Sequence, residues 1–191
     1  MKIGLFFGSF NPIHTGHLVI ANYMAEFTDL KQVWFIVSPR NPLKIKSSLL
    51  QDYHRLALVK EAIKDNKKLK ASNIEFKLAQ PSYTINTLIY LSEQYPQHEF
   101  VLIMGCDNLQ TFDKWKNYKQ ILEHYEIYVY PRINCSGGKF ADHQKVKMID
   151  APIMEISASF IRKAIKDKKD VRYMMPESVY NYIEEMHFYE K

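Results

Sequence analysis

The chain has 191 residues, of which 47% are apolar and 25% charged. That length suggests one domain over residues 1–191, able to bury a core without disulfide staples, and the composition disfavours disordered, collagen-like and membrane-spanning classes. Twenty-six basic residues against 21 acidic ones give a net charge of +5, which suits a polyanionic partner without saying whether it is a nucleotide or a nucleic acid.

Cys106 and Cys135 are the only cysteines and do not make a disulfide framework, so free thiols in a reducing cytosol are expected. Residues 3–25 contain no Asp, Glu, Lys or Arg and superficially resemble a signal peptide. The apolar run at 3–7 is too short for one and is broken by Gly8, Asn11 and Pro12, so this segment is assigned to the fold. No apolar stretch is long enough to cross a bilayer.

Residues 3–7 read as a buried parallel strand ending at Gly8. A helix follows over 15–28, with His17, Ile20, Ala21, Met24 and Phe27 on one face and Thr15 as its N-cap. Strand 32–38 leads into a loop carrying Arg40, Lys44 and Lys46. Helix 52–65, strand 71–77 and helix 84–93 come next. Strand 100–104 is the most apolar and ends at Gly105. Helical segments run to His124, followed by strand 127–130. Residues 131–145 contain Ser136-Gly137-Gly138 and are the expected mobile loop. Strand 147–155 and helices 159–168 and 177–187 complete the chain, so that the part from about residue 156 is a helical subregion. This alternation predicts an α/β fold, a Rossmann-like open parallel sheet with helices on both faces. Ligands of such sheets bind outside the carboxyl ends of the strands.

The densest cluster lies at one of those ends, in the sequence GSFNPIHTGH at residues 8–17. Gly8 permits close approach of a ligand, and Asn11-Pro12 forces a turn. His14 and His17 then flank a helix N-terminus, where imidazoles, free amides and the helix dipole together favour phosphate. The alternative is one capping and one core histidine. No Gly-x-Gly-x-x-Gly follows the first strand, and Gly138-Lys139 lacks the upstream glycine of a Walker A loop. His14-x-x-His17 is at most half a zinc site, so no protein-held metal is expected. Toward the other end, ISASFIR at residues 156–162 places Ser157 and Ser159 to cap a helix that carries Arg162, a second anion site.

GSFNPIHTGH resembles the His-x-Gly-His signature of the nucleotidylyltransferase superfamily, and ISASFIR resembles its Ile-Ser-Ser-Thr-x-Ile-Arg signature. QPSYTINTL at residues 80–88 and GCDNLQTFDKW at 105–115 are similar to segments of bacterial nicotinate-nucleotide adenylyltransferases, and the likeness runs from Met1 to about Tyr182. The resemblance implies AMP transfer from ATP to nicotinate mononucleotide, with Mg²⁺, in NAD biosynthesis. It implies His14, His17 and Arg162 as catalytic residues. ATP contacts are implied for Gly8, Ser9, Phe10, Gly105, Asp107, Ser157 and Ser159, and mononucleotide contacts for Asn11, Lys44, Tyr83, Thr84 and Trp115. The residues themselves agree on the acid, since the amides of a helix opened by Tyr83 and Thr84 could hold a carboxylate and Trp115 could stack on a pyridinium. Asn11 stands where Asp is common, Phe7 where a glycine is frequent, Ala158 and Ser159 replace Ser and Thr, and Cys106 takes a small-residue position. These departures touch secondary contacts.

The nearest rival is a superfamily enzyme with another acceptor, nicotinamide mononucleotide or phosphopantetheine. A non-catalytic nucleotide- or RNA-binding module would have lost a phosphate-contacting residue, and none is missing. A class I aminoacyl-tRNA synthetase would be longer and carry a Lys-Met-Ser-Lys-Ser-like loop. The expectation is therefore a cytoplasmic enzyme with small-molecule substrates, no nucleic-acid or membrane partner, and possible self-association.

Overall fold

The computed structural model describes residues 1–39 and 49–190. Six strands form one sheet: β1 (Lys2–Gly8), β2 (Gln32–Val37), β3 (Leu69–Ser72), β4 (Glu99–Gly105), β5 (Glu126–Tyr130) and β6 (Val146–Met148). Their order is β3-β2-β1-β4-β5-β6, and all neighbours are parallel. The helices are α1 (Thr15–Phe27), α2 (Asp52–Ile63), α3 (Thr84–Gln94), α4 (Cys106–Gln110), α5 (Tyr118–His124), α6 (Ala158–Lys166) and α7 (Glu177–Glu185). This is the expected Rossmann-like sheet. Its order reverses between β1 and β4, the crevice where such sheets bind ligands.

Strand side chains alternate between two cores. Phe6, Phe35, Val101 and Tyr128 face α1, α2, α6 and α7, where they meet Ile20, Met24, Leu58, Ile161 and Ile183. Ile3, Leu5, Trp34, Leu102 and Ile127 face α3, α4 and α5, meeting Ile85, Leu88, Leu109 and Ile121. The segment that resembled a signal peptide is uncharged because β1 is central and α1 covers it.

Several elements differ from expectation. The strand expected at 71–77 is the shorter β3, followed by a 3₁₀ turn at Ile74–Lys77, because Glu75 must turn inward from the sheet edge. Strand 147–155 shrinks to Val146–Met148. Phe27, placed on the buried face of α1, is 70% exposed at that helix's last turn. Helix α7 ends at Glu185, short of residue 187.

The cysteines also depart from expectation: Cys106 and Cys135 are bonded to each other. The segment around 131–145 is accordingly held in place. Cys135 ties it to the first residue of α4, Phe140 is buried, and Lys139 pairs with Asp113 at 2.6 Å. Cross-linking residues 29 apart restricts the unfolded chain and contributes up to about 3–4 kcal/mol. Isolated protein should show no free thiol by Ellman titration under denaturing conditions. Adding a reductant should lower its melting temperature, and a thiol-replete sample with an unchanged Tm would contradict the pairing.

Candidate functional site

The site is built from the two helix N-termini that meet outside β1. At the first, Phe10 adopts a left-handed backbone conformation (φ 44°) and folds its ring back over Gly8, so a Cβ on Gly8 would sit 2.8 Å from that ring. The Phe10 side chain is core, packed on Phe6, Phe35 and His17, which leaves only its backbone for a ligand. The N-cap of α1 is His14, in extended conformation, and not Thr15. Its carbonyl accepts from the His17 and Leu18 amides, which starts the helix. This brings the two imidazoles together, stacked with ring centroids 3.7 Å apart.

At the second, Ser157 caps α6 by accepting from the Phe160 amide at 3.2 Å. Ser159, expected to share that role, lies inside the helix and accepts from Arg162 Nη2 at 3.2 Å. Arg162 Nη1 donates to the Asn11 carbonyl at 2.7 Å, locking α6 to the turn before α1. Gly16 lets the segments approach: a Cβ there would lie 3.1 Å from the His14 ring and 3.5 Å from the Ile156 carbonyl.

Between these termini is a cavity of about 170 Å³, lined by His14, Gly16, His17, Arg132, Ser157 and Ala158 among others. Arg132 is the residue that the sequence reading missed. Its guanidinium lies 5.0 Å from the Tyr130 ring and donates to the Met154 carbonyl, and its Nε stands 3.5 Å from Asp107 Oδ1. The signal was available, since Arg132 follows Pro131 directly after a predicted strand end. Three buried nitrogens at this cavity have no hydrogen-bond partner: His14 Nδ1, His17 Nδ1 and Arg132 Nε. Buried polar atoms are rarely left unpaired, and the two imidazole nitrogens, beside an Arg132 Nε held only by Asp107 at 3.5 Å, offer polar groups to a ligand.

Burial pushes the His14 imidazole down to about 4, and the Arg132 charge adds to this. His17 is held well below its ordinary range by burial, then by His14 and Arg132. Both rings are therefore neutral at pH 7, each with one N–H to donate.

Two other loops lie at the carboxyl ends of β1 and β2. Arg55, on α2, is wholly buried and donates to the Ser9 carbonyl at 2.6 Å, Ser38 at 2.7 Å and Leu50 at 3.1 Å, and it pairs with Asp52. Its signal in the sequence was an arginine on the apolar stripe of Leu58, Val59 and Ile63. Asn11 Oδ1 accepts from the Leu50 amide at 3.2 Å and the Tyr189 hydroxyl at 2.7 Å, so that oxygen serves the protein's own donors. Tyr189 is nearly at the C-terminus and was not anticipated. Gly105 is buried at the end of β4, where a Cβ would crowd Asp107 and lie 3.2 Å from the Tyr130 ring.

The expected mononucleotide residues lie beside α3. Tyr83 is the N-cap and makes no side-chain cap bond, so first-turn amides remain for a ligand. Lys116 sits 4.1 Å over the Tyr83 ring, which brings the segment after Trp115 to the same helix end. Trp115 is half-buried against Phe112. Lys44 lies outside the described residues. Among the described residues no cluster of three or more His, Cys, Asp or Glu could hold a metal ion, and no helix is long and apolar enough to cross a membrane.

Comparison with known proteins bears on what this site does. A model of the cytidylyltransferase-like family matches residues 5–164. A "Probable nicotinate-nucleotide adenylyltransferase" of Flavobacterium psychrophilum is 56% identical over 193 residues, spanning the whole of both chains. A protein of the same name in Bacteroides thetaiotaomicron is 43% identical over 185 residues, 97% of this chain and 92% of that one. Among solved structures, the Plasmodium falciparum nicotinic acid mononucleotide adenylyltransferase complexed with NaAD has a TM-score of 0.82 at 18% identity, covering 99% of this chain and 97% of that one. That last likeness concerns the fold.

The lowered histidines set an acid limit. Above the ordinary value of 6.5 the imidazoles are neutral in both folded and unfolded chains. As pH falls from 6.5 toward 4 the unfolded chain takes up protons that the folded one refuses, so stability declines across that window. Denaturant melts between pH 7 and 4.5 should show this, and His14→Asn should flatten the slope. Replacing Arg55 with Met strands three carbonyls and Asp52, and should cost about 3–5 kcal/mol in the same melts.

Proposed function

The chain belongs to the cytidylyltransferase-like family and, within it, to the nicotinate-nucleotide adenylyltransferases. On that premise we propose that it transfers AMP from ATP to nicotinate mononucleotide, yielding deamido-NAD and pyrophosphate, a step in NAD biosynthesis. The observation that carries the chemistry is the stacked His14–His17 pair with unpaired nitrogens, set between two helix N-termini and beside Arg132.

A phosphate oxygen of the mononucleotide attacks the α-phosphorus of ATP in line. A P–O bond forms there as the bond to the β-phosphate oxygen breaks, and the electron pair leaves with pyrophosphate. The attacking oxygen is already ionised at neutral pH, so no side-chain nucleophile or strong base is needed. Catalysis then reduces to positioning and to stabilising charge. In this scheme His17 contacts the α-phosphate. His14, Ser159 and Arg162 hold the β- and γ-phosphates, with the amides of α6 and Ser157 beside them. Arg132 joins this set, because it lines the same cavity. Gly105 and Asp107 meet ribose hydroxyls.

Mg²⁺ fits this site as part of its substrate. The described residues offer no acidic cage, and donors that bind phosphate leave other phosphate oxygens for the ion. It would neutralise charge on the triphosphate as that charge shifts to the leaving group. The chain's own residues do the rest by orienting the phosphates and excluding water.

The neutral histidines give the proposal a physical signature. A triphosphate brought against them favours the protonated ring, so binding at neutral pH should take up protons. Calorimetry of ATP binding in buffers of different ionisation enthalpy should reveal that uptake, and His14→Asn should diminish it. In a pyrophosphate-release assay, His17→Ala should lower kcat on the order of a thousandfold with little change in ATP affinity. Near wild-type turnover by that variant would overturn the mechanism. Nicotinate mononucleotide should surpass the nicotinamide form in kcat/KM, because a helix N-terminus stabilises a carboxylate more than an amide.

A further inference from the structure

Among the described residues, the polar side chains buried in the core are Asn11, His14, Arg55, Glu75 and Thr87. The first three belong to the phosphate end. Glu75 and Thr87 are bonded to each other on the opposite flank. Glu75 sits in the 3₁₀ turn Ile74–Lys77, just past the C-terminal end of β3, and is 2% exposed. Its carboxylate oxygens accept from Thr87 Oγ1 at 2.8 Å and Ser82 Oγ at 3.3 Å, and a third hydroxyl, that of Ser38, also bonds to it. Gln80 completes the knot. Its amide donates to the Glu75 carbonyl at 3.0 Å, and its oxygen accepts from the Ser82 amide at 3.3 Å.

The three hydroxyls come from three separate segments: the end of β2, the loop before α3, and the first turns of α3. No ion pair among the described residues involves Glu75, and burial pushes its carboxyl above the usual range. A carboxyl buried with only hydroxyl partners is costly, and an apolar side chain could fill the space at less expense. What an apolar side chain could not do is hold these three segments at one point. That point borders a second cavity of about 170 Å³ on the strand-end edge, lined by Phe7, Ser38, Glu75, Ser82 and Thr84 among others. The cavity opens at the uncapped start of α3.

We propose that Glu75 is a positioning residue for the mononucleotide: through Ser82 and Thr87 it fixes where α3 begins, and so aims the first-turn amides at the cavity. The inference rests on the reading above that seats the pyridine carboxylate at that helix end. Glu75 itself touches no substrate in this scheme. Its effect falls chiefly on the mononucleotide, since the phosphate end is held by Arg55 and Arg162 and the two knots meet at Ser38, whose carbonyl serves Arg55 and whose hydroxyl serves Glu75.

The test uses the full chain with Mg·ATP and nicotinate mononucleotide, and compares Glu75→Ala, Glu75→Gln and Thr87→Val for both KM values, kcat and cooperative melting. Glu75→Ala and Thr87→Val should raise the mononucleotide KM about tenfold while the ATP KM stays within about twofold. Glu75→Gln keeps the shape and one carbonyl acceptor, so it should recover most of that loss. A parallel rise in both KM values, or an unmoved mononucleotide KM in a cooperatively folded variant, would overturn the role. Should Glu75→Ala not fold, Thr87→Val keeps the packing and decides the question alone. Wild-type protein that releases no pyrophosphate with nicotinate mononucleotide would instead sink the substrate reading on which the proposal stands.

Discussion

A single buried guanidinium organises the ligand edge of this protein. Arg55 reaches from α2 into the place where β1 and β2 end, and its donors are taken by the carbonyls of Ser9, Ser38 and Leu50. Those carbonyls belong to chain that has left the sheet and can no longer be satisfied by ladder hydrogen bonds. Buried without partners, each would cost free energy comparable to a lost hydrogen bond. Arginine suits the position because its planar fork presents several donors in fixed directions. The cost of burying its charge is offset by Asp52 and by these carbonyls, and the result is a rigid rim. Everything that depends on the turn at residues 9–14 depends on that rim, including the placement of His14 and His17.

The electrostatics of the site follow from what the rim excludes. Little of the formal +5 charge is spent there. Lys2 pairs with Asp29 and Glu126, Lys64 with Glu61, Lys68 with Glu26 and Lys139 with Asp113, all remote from the cavity. In the cavity two histidines are kept neutral by burial and Arg132 stands against Tyr130 and Asp107, while Arg162, outside the cavity's lining, is engaged with the Asn11 carbonyl. A site full of bare cations would be strained when empty and would grip any anion. One made of neutral imidazoles, helix amides and partly engaged arginines carries less free charge, and in the proposed scheme its histidines gain theirs only when phosphate arrives. This distinguishes the site from a generic basic patch, and makes the partner a small polyanion that can enter a narrow cavity.

How much of this could be read from the chain depends on whether a residue signals through its neighbours in sequence or only through those in space. The six-stranded parallel sheet was legible because buried strands are continuous apolar runs and α1 carries its stripe. The two phosphate motifs were legible because their glycines, histidines and serines are packed into ten and seven consecutive residues. Arg55, Glu75 and Tyr189 were not. Their deciding partners lie far off in sequence, as with Ser9 for Arg55, Thr87 for Glu75 and Asn11 for Tyr189, which are 46, 12 and 178 positions away. The Cys106–Cys135 bond is the same kind of case. Composition argued for free thiols, whereas the return of the chain from β5 past α4 brings the two together. Strand ends misled as well, since Glu75 carries apolar neighbours that extend the look of a strand while its own carboxyl turns inward.

The two ends of the site are held by two devices that meet at Ser38, and the proposed reaction gives that division a purpose. An in-line displacement at phosphorus needs the attacking and leaving oxygens on opposite sides of one atom. The side proposed to receive the triphosphate is built on α1 and α6, which cover one face of the sheet. The side assigned to the mononucleotide is built on α3, which covers the other. β1, at the point where the strand order reverses, lies between them, and Gly8 ends it with no side chain to intrude. The sheet itself therefore sets the distance between the two clamps, and a rigid six-stranded sheet is a better ruler than any loop. On this view the buried polar knots at Arg55 and Glu75 are the two places where loops are fastened to that ruler. This accounts for the burial of Arg55, which lines neither cavity, and of Glu75 at the wall of the second.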